Sequence, residues 1–165
     1  MTSRIIKKHK SISLREVINS DREIFFQQQL DPEANFMAAF TAKDPSDREA
    51  YDAKMDKILK DDTITIKTIL FNEEVAGSVL CHGWFGDPEV SYWIGQEFWG
   101  KGITTRALSI FLKNIDIRPL YARVVKDNIG SIKVLEKCGF VPLGEDRGFA
   151  NARGEEVDEL IFVLR

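Results

Sequence analysis

EFWGKGITTRAL, residues 97–108, poses the question that decides the fold. Gly100 and Gly102 bracket Lys101, and Thr104 and Thr105 follow at the start of a helix-like run. Glycine loses more conformational freedom than any other residue in regular structure. Two of them at a helix start therefore imply that backbone must approach something closely. A strand, a glycine-rich turn and a helix N-terminus, in that order, make an anion site. The first helical N–H groups have no intrahelical partners, and the helix dipole adds partial positive charge. The hydroxyls of Thr104 and Thr105 can donate as well, and Lys101 offers a screening charge. Two familiar glycine motifs do not fit. A triphosphate-binding loop needs a later Gly-Lys-Ser/Thr, and here Ile103 follows the second glycine. A dinucleotide fingerprint needs a third glycine where Thr105 stands, within a right-handed parallel unit. Taken alone, the turn fits a purely structural role equally well.

Outward from the turn, period-two segments dominate. TITIKTILF (63–71), the turn NEE and VAGSVLCHGW (75–84) read as an antiparallel hairpin, and VSYWIG (90–95) as a third strand. RPLYARVVK (118–126) is a strand with Pro119 at its entry, and DNIGSIKVLEKCG (127–139) a helix capped by Asp127 or Asn128 and closed by Gly139. Two last strands, 140–149 and 155–164, flank the turn NARGE. Upstream, SISLREV (11–17) reads as a strand and SDREIFFQQQ (20–29) as a helix capped by Ser20. Residues 31–45, with two prolines, read as an irregular segment over the core. SDREAYDAKMDKILKD (46–61) is an amphipathic helix with Ser46 and Glu49 as a capping box. The order predicts a mixed α/β sheet flanked by helices in one domain, residues 1–165, with 1–9 a flexible basic arm.

Composition narrows the function. A formal charge of −3 argues against general nucleic-acid binding. No apolar run approaches the ~20 residues that span a bilayer, and the basic start MTSRIIKKHK lacks the apolar stretch of a signal peptide. Cys81 and Cys138 are the only cysteines and show no metal-like pairing; with His9 and His82 the only histidines, no metal site is expected. This usage suits a reducing cytoplasm.

EVSYWIGQEFWGKGITTRAL (89–108), followed by DNIGSIKVLEKCGFVPLGE (127–145), resembles the GNAT superfamily of acyl-CoA-dependent N-acyltransferases. Within it, the chain looks closest to the branch of ribosomal-protein N-terminal acetyltransferases of the RimJ/RimL type. The likeness runs from about Thr63 onward. It implies a mostly antiparallel central sheet splayed at the cofactor site. It also implies acetyl-CoA as donor and a primary amine, on a protein N-terminus or a small molecule, as acceptor. Dimers are common among similar proteins, and whether this chain forms a homodimer stays open. By resemblance, backbone amides from Gly100, Lys101, Gly102, Ile103, Thr104 and Thr105 hold the pyrophosphate. Pantetheine bonds to exposed strand backbone at Trp93, Ile94 and Gly95, Asn128 binds the pantetheine region, and Ser131 lies near the sulfur. Glu97 departs from the Gln or Arg usual at its place and is expected to turn to solvent; Arg106 reverses a usual negative charge.

Acyl transfer to an amine needs the amine neutral, so a general base helps. A bulged strand N–H near Ile94 can stabilise the developing oxyanion. Glu89 opens the strand that faces the thioester in the family and is the candidate base; the plain alternative is a solvent-facing turn residue in GDPEV. Glu33 is a weaker rival. Ser131 is the candidate acid, three positions from Asn128 on one helical face. The plain alternative makes Asn128 a helix cap and Ser131 a neutral helix residue. Cys138 reads as packing rather than a nucleophile, with no histidine placed to activate it. His82 reads as structural. Trp84, Trp93 and Trp99 are candidates for an acceptor pocket. A second functional class stays open: a non-catalytic acyl-CoA-binding or regulatory module, which would bind coenzyme A without consuming acetyl-CoA.

Overall fold

The computed structural model describes residues 11–165; the basic arm expected at 1–9 lies outside the described residues. Seven strands form one sheet: β1 Ile12–Arg15, β2 Thr65–Phe71, β3 Glu74–His82, β4 Glu89–Ile94, β5 Leu120–Val125, β6 Val141–Ala150 and β7 Glu155–Leu164. Their spatial order is β1-β2-β3-β4-β5-β7-β6. Every neighbouring pair is antiparallel except β4–β5, which is parallel. Five helices flank the sheet: α1 Asp21–Gln29, α2 Pro32–Ala38, α3 Arg48–Lys60, α4 Ile103–Lys113 and α5 Ile129–Lys137. Among the described residues, no helix is long and apolar enough to cross a membrane.

The two larger apolar clusters hold the layers together. The larger joins Val79, Cys81, Val90, Ile94, Leu120, Ala122 and Val124 of the sheet to Ile103, Leu108 and Phe111 of α4 and Leu135 of α5. The smaller packs Phe25 and Phe26 of α1 on Tyr51 and Met55 of α3 and against Val75. Thr68 and Ile69 are adjacent on β2, yet Thr68 bonds Asp21 of α1 while Ile69 joins the larger cluster. Strand side chains alternate between faces, so α1 and α3 lie on the face opposite α4 and α5.

The structure corrects three local readings. Residues 32–38 are helical, because Pro32 stands in the first turn, where its missing N–H costs nothing, and Asp31 caps the helix by accepting from the Glu33 N–H at 3.0 Å. In α3 the cap is Asp47, which accepts from the Ala50 N–H at 3.0 Å, while Ser46 turns to Asp44. Ser20 makes no cap bond. Its neighbour Asp21 is buried instead, taking bonds from Arg15, the Ile18 N–H and Thr68.

Candidate active site

At the end of β4 the chain makes a single 3-10 turn, Gln96–Phe98, then Gly100 and Gly102 with φ of +72° and +74°. Gly102 is the left-handed N-cap of α4, and no side chain caps the helix. The first intrahelical bond runs from the Arg106 N–H to the Gly102 carbonyl at 3.2 Å. The amides of Ile103, Thr104 and Thr105 therefore point forward from the helix start. A Cβ built on Gly100 or Gly102 meets nothing within 4 Å, so the turn opens onto free space. Lys101 is exposed, its ammonium 5.9 Å from the Phe71 ring centre. Glu97 is exposed too.

Beside this turn the sheet parts. β4 and β5 share one register position, Glu89 with Tyr121, and diverge beyond it. Among the described residues, the β5-facing edge of β4 from Val90 to Ile94 has no strand partner. On that edge the Ile94 carbonyl already accepts from the Trp99 indole at 2.9 Å; the Gly95 N–H faces the other way and donates to the Ala76 carbonyl of β3 at 2.9 Å, so it is not exposed backbone. The indole N–H of Trp93 is buried without a hydrogen-bond partner among the described residues. A buried, unmet donor beside an unpaired strand edge, next to uncapped helix amides, fits a thin polar arm ending in a diphosphate.

The two candidate proton-handling residues lie on opposite faces. Val90, Tyr92 and Ile94 pack toward α4 and α5. By alternation Glu89, Ser91 and Trp93 face the α1–α3 side, as Arg123 does on β5. Glu89 is only 6 % exposed, so it is not the solvent-facing turn residue that GDPEV suggests. Its carboxylate lies 3.2 Å from the Arg123 guanidinium, which also meets Glu159 at 2.9 Å and Asp146 at 3.0 Å. Burial pushes the Glu89 carboxyl up; Arg123 pulls it back, Glu159 adds to the rise, and the net shift is upward. Glu89 also lines a cavity of about 220 Å³ with Phe85, Asp87, Tyr121, Arg123 and Leu143.

On the other face, Asn128 caps α5, its Oδ1 accepting from the Ser131 N–H at 3.2 Å. Its Nδ2 donates to the Met37 carbonyl at 3.3 Å, which fastens α2 to the start of α5. The Ser131 hydroxyl lies 2.6 Å from the Tyr92 hydroxyl. Burial pushes the Tyr92 phenol up to about 12. Glu33 is exposed and accepts from Gln96 at 2.5 Å, tying α2 to the glycine turn.

His82 and Cys138 settle into packing, whereas Trp84 and Trp99 are exposed. His82 is buried and stacked on Trp84 with ring centres 3.9 Å apart, and burial with Lys54 pushes it down to about 4. The Cys138 thiol contacts the Thr105 carbonyl at 3.5 Å, and burial pushes it up. Sequence reasoning missed Tyr92 and Arg123. The signal for Tyr92 was present: on β4 it keeps step with Val90 and Ile94, and so belongs to the face that carries Ser131.

The sequence matches the acetyltransferase (GNAT) domain family over residues 11–141. The RimJ protein of Mycobacterium smegmatis, solved in complex with CoA-disulfide, is 20% identical, with a TM-score of 0.77 over 93% of this chain and 81% of that one. An uncharacterized N-acetyltransferase of Bacillus licheniformis, p20, is 29% identical over 83 residues, covering 48% of this chain and 47% of that protein. An uncharacterized protein of Methanocaldococcus jannaschii is 41% identical over 58 residues, covering 33% of this chain. The aligned segments thus span about half and about an eighth (12%) of these two curated relatives.

Proposed function

Because the chain belongs to the acetyltransferase (GNAT) family, we propose that it moves the acetyl group of acetyl-CoA to a primary amine by direct attack on the thioester. The observation that carries this reading is the parted β4–β5 edge, with the uncapped start of α4 at one end and Glu89 and Ser131 on opposite faces. Acetyl-CoA supplies an acetyl group already activated as a thioester.

Each remaining task falls to a residue of this chain. The amides of Ile103, Thr104 and Thr105, with the hydroxyls of both threonines, bind diphosphate oxygens, and Gly100 and Gly102 keep side chains out of the way. Trp93 and the unpaired edge of β4 supply donors and acceptors to the amide-bearing arm. Glu89 takes the proton that the attacking amine must lose, and its raised pKa makes it a stronger base than an exposed glutamate. Ser131 offers a hydrogen bond to the departing sulfur from the opposite face. The acceptor is a primary amine on a protein N-terminus or a small molecule; the Glu89 and Asp87 carboxylates lining the cavity, with Glu159 paired to Arg123 behind them, support a cationic one.

Thiol release from acetyl-CoA, followed across a panel of amines and N-terminal peptides, tests the reading. Release that depends on one class of amine is the expected outcome. Tight coenzyme binding with no release above hydrolysis across the panel would leave a binding module instead.

A further inference from the structure

Ser131 and Tyr92 meet hydroxyl to hydroxyl at 2.6 Å, and two hydroxyls at that distance share one hydrogen between them. Which one donates decides what the other can do. Tyr92 is fixed on β4, where its register partner on β3 is Val79. Ser131 is fixed in the first turn of α5 by the Asn128 cap on its N–H. A helical serine commonly turns its hydrogen back to the carbonyl four residues earlier. Among the described residues, the Ser131 hydroxyl makes no such bond; its one partner is Tyr92. The phenol is more acidic than an aliphatic alcohol, so it is the better donor of the two. Its other acceptor, the Ser131 carbonyl at 3.5 Å, is at the limit of hydrogen bonding.

We propose that Tyr92 is a positioning residue for Ser131: its phenol donates to the serine Oγ and leaves the serine's own hydrogen free to bond the sulfur of coenzyme A. The proposal rests on the acetyl-CoA reading above. Tyr92 is not itself the source of a proton. Burial holds its phenol at about 12, and a phenolate at that depth would be poorly solvated. The same burial keeps the donor protonated throughout the working pH range, so the direction of the pair does not reverse. The neighbouring Cys138 thiol, also pushed up by burial, stays neutral beside it.

A hydrogen bond to the thiolate lowers the pKa of the bound thiol, so the test needs no acceptor amine. The thiolate absorbance of CoA is titrated in complex with the parent, Tyr92→Phe, Ser131→Ala and the double variant. The same proteins loaded with desulfo-CoA provide the baseline and remove the signals of Cys81 and Cys138. Ser131→Ala should raise the midpoint by about half to one pH unit. Tyr92→Phe should raise it by part of that, and the double variant should match Ser131→Ala alone. Fluorotyrosine, a stronger donor of nearly the same shape, should lower the midpoint in the parent and leave Ser131→Ala unmoved. An unmoved midpoint in Tyr92→Phe beside a raised one in Ser131→Ala would overturn the proposal, as would additive shifts in the double variant. If Tyr92→Phe fails to fold, the fluorotyrosine comparison decides. No shift in Ser131→Ala would take the serine away from the sulfur, and the proposal with it. Failure of the parent to bind CoA in calorimetry would remove the reading beneath both.

Discussion

Glu89 is a carboxylate kept where water scarcely reaches, with one guanidinium shared among three acids. Its pKa is raised in the fold, so the folded state holds that proton more tightly than the unfolded chain does. Its contribution to stability is therefore present below the unfolded value of about 4.3 and is lost as pH rises through the higher folded value. At neutral pH the ionised side chain is a cost to the fold. Glu89→Gln should melt at or above the parent temperature at pH 7, while turnover falls by about 10²-fold and CoA affinity stays put. Melting curves and thiol release measure the two halves separately. A clear loss of melting temperature at pH 7 would mean that the Arg123 pair outweighs burial. Nothing in GDPEV announces this burial, because it comes from β5 and β7 placing Arg123 and Glu159 alongside.

At the scale of the element, the start of α4 is the informative case. Asn and Asp both tolerate left-handed backbone and have nearly the same size, so exchanging Gly102 for each isolates charge from shape. CoA at 100 times its dissociation constant should stabilise the parent by about 2.7 kcal/mol. Gly102→Asp should abolish that gain and Gly102→Asn should keep part of it; thermal shifts with and without CoA read the difference. Equal shifts in both variants would move the diphosphate elsewhere. This helix start was legible in the sequence, because glycines at positive φ leave a local mark. The β2–β3 hairpin was legible for the same reason, its alternation being local. α2 was not. Pro32 read as a breaker, although the first helical turn is where proline fits, and what holds the segment is remote: Arg153 reaches the Phe36 carbonyl at 2.7 Å and Asn128 reaches that of Met37. The meeting of Tyr92 with Ser131, 39 positions apart, is likewise a product of the assembled sheet.

For the whole molecule, acid stability turns on Asp21, which joins β1, α1 and β2. Burial pushes its carboxyl up, but Arg15, the Ile18 N–H and Thr68 together outweigh that, and the net shift is downward. Its stabilisation is present above the unfolded value of about 3.9 and is lost as pH falls through the lower folded value. Asp21→Asn should cost about 2 kcal/mol at pH 7. That is below the 3–5 kcal/mol typical of a broken buried pair, because Arg15 is partly exposed and can return to water. The same variant should lose less stability than the parent on acidification below pH 4; urea melts at pH 7 and pH 3 show both effects. The parted edge between β4 and β5 has a different reach. With one rung between them, the four strands on one side and the three on the other are two ribbons bound to a spine of helices, and not one plate. Their missing rungs are amides and carbonyls without strand partners among the described residues, so amide exchange should run faster along this line than within either ribbon. On the acetyl-CoA reading the coenzyme's arm supplies rungs there, and its binding should slow amide exchange across the sheet as a whole.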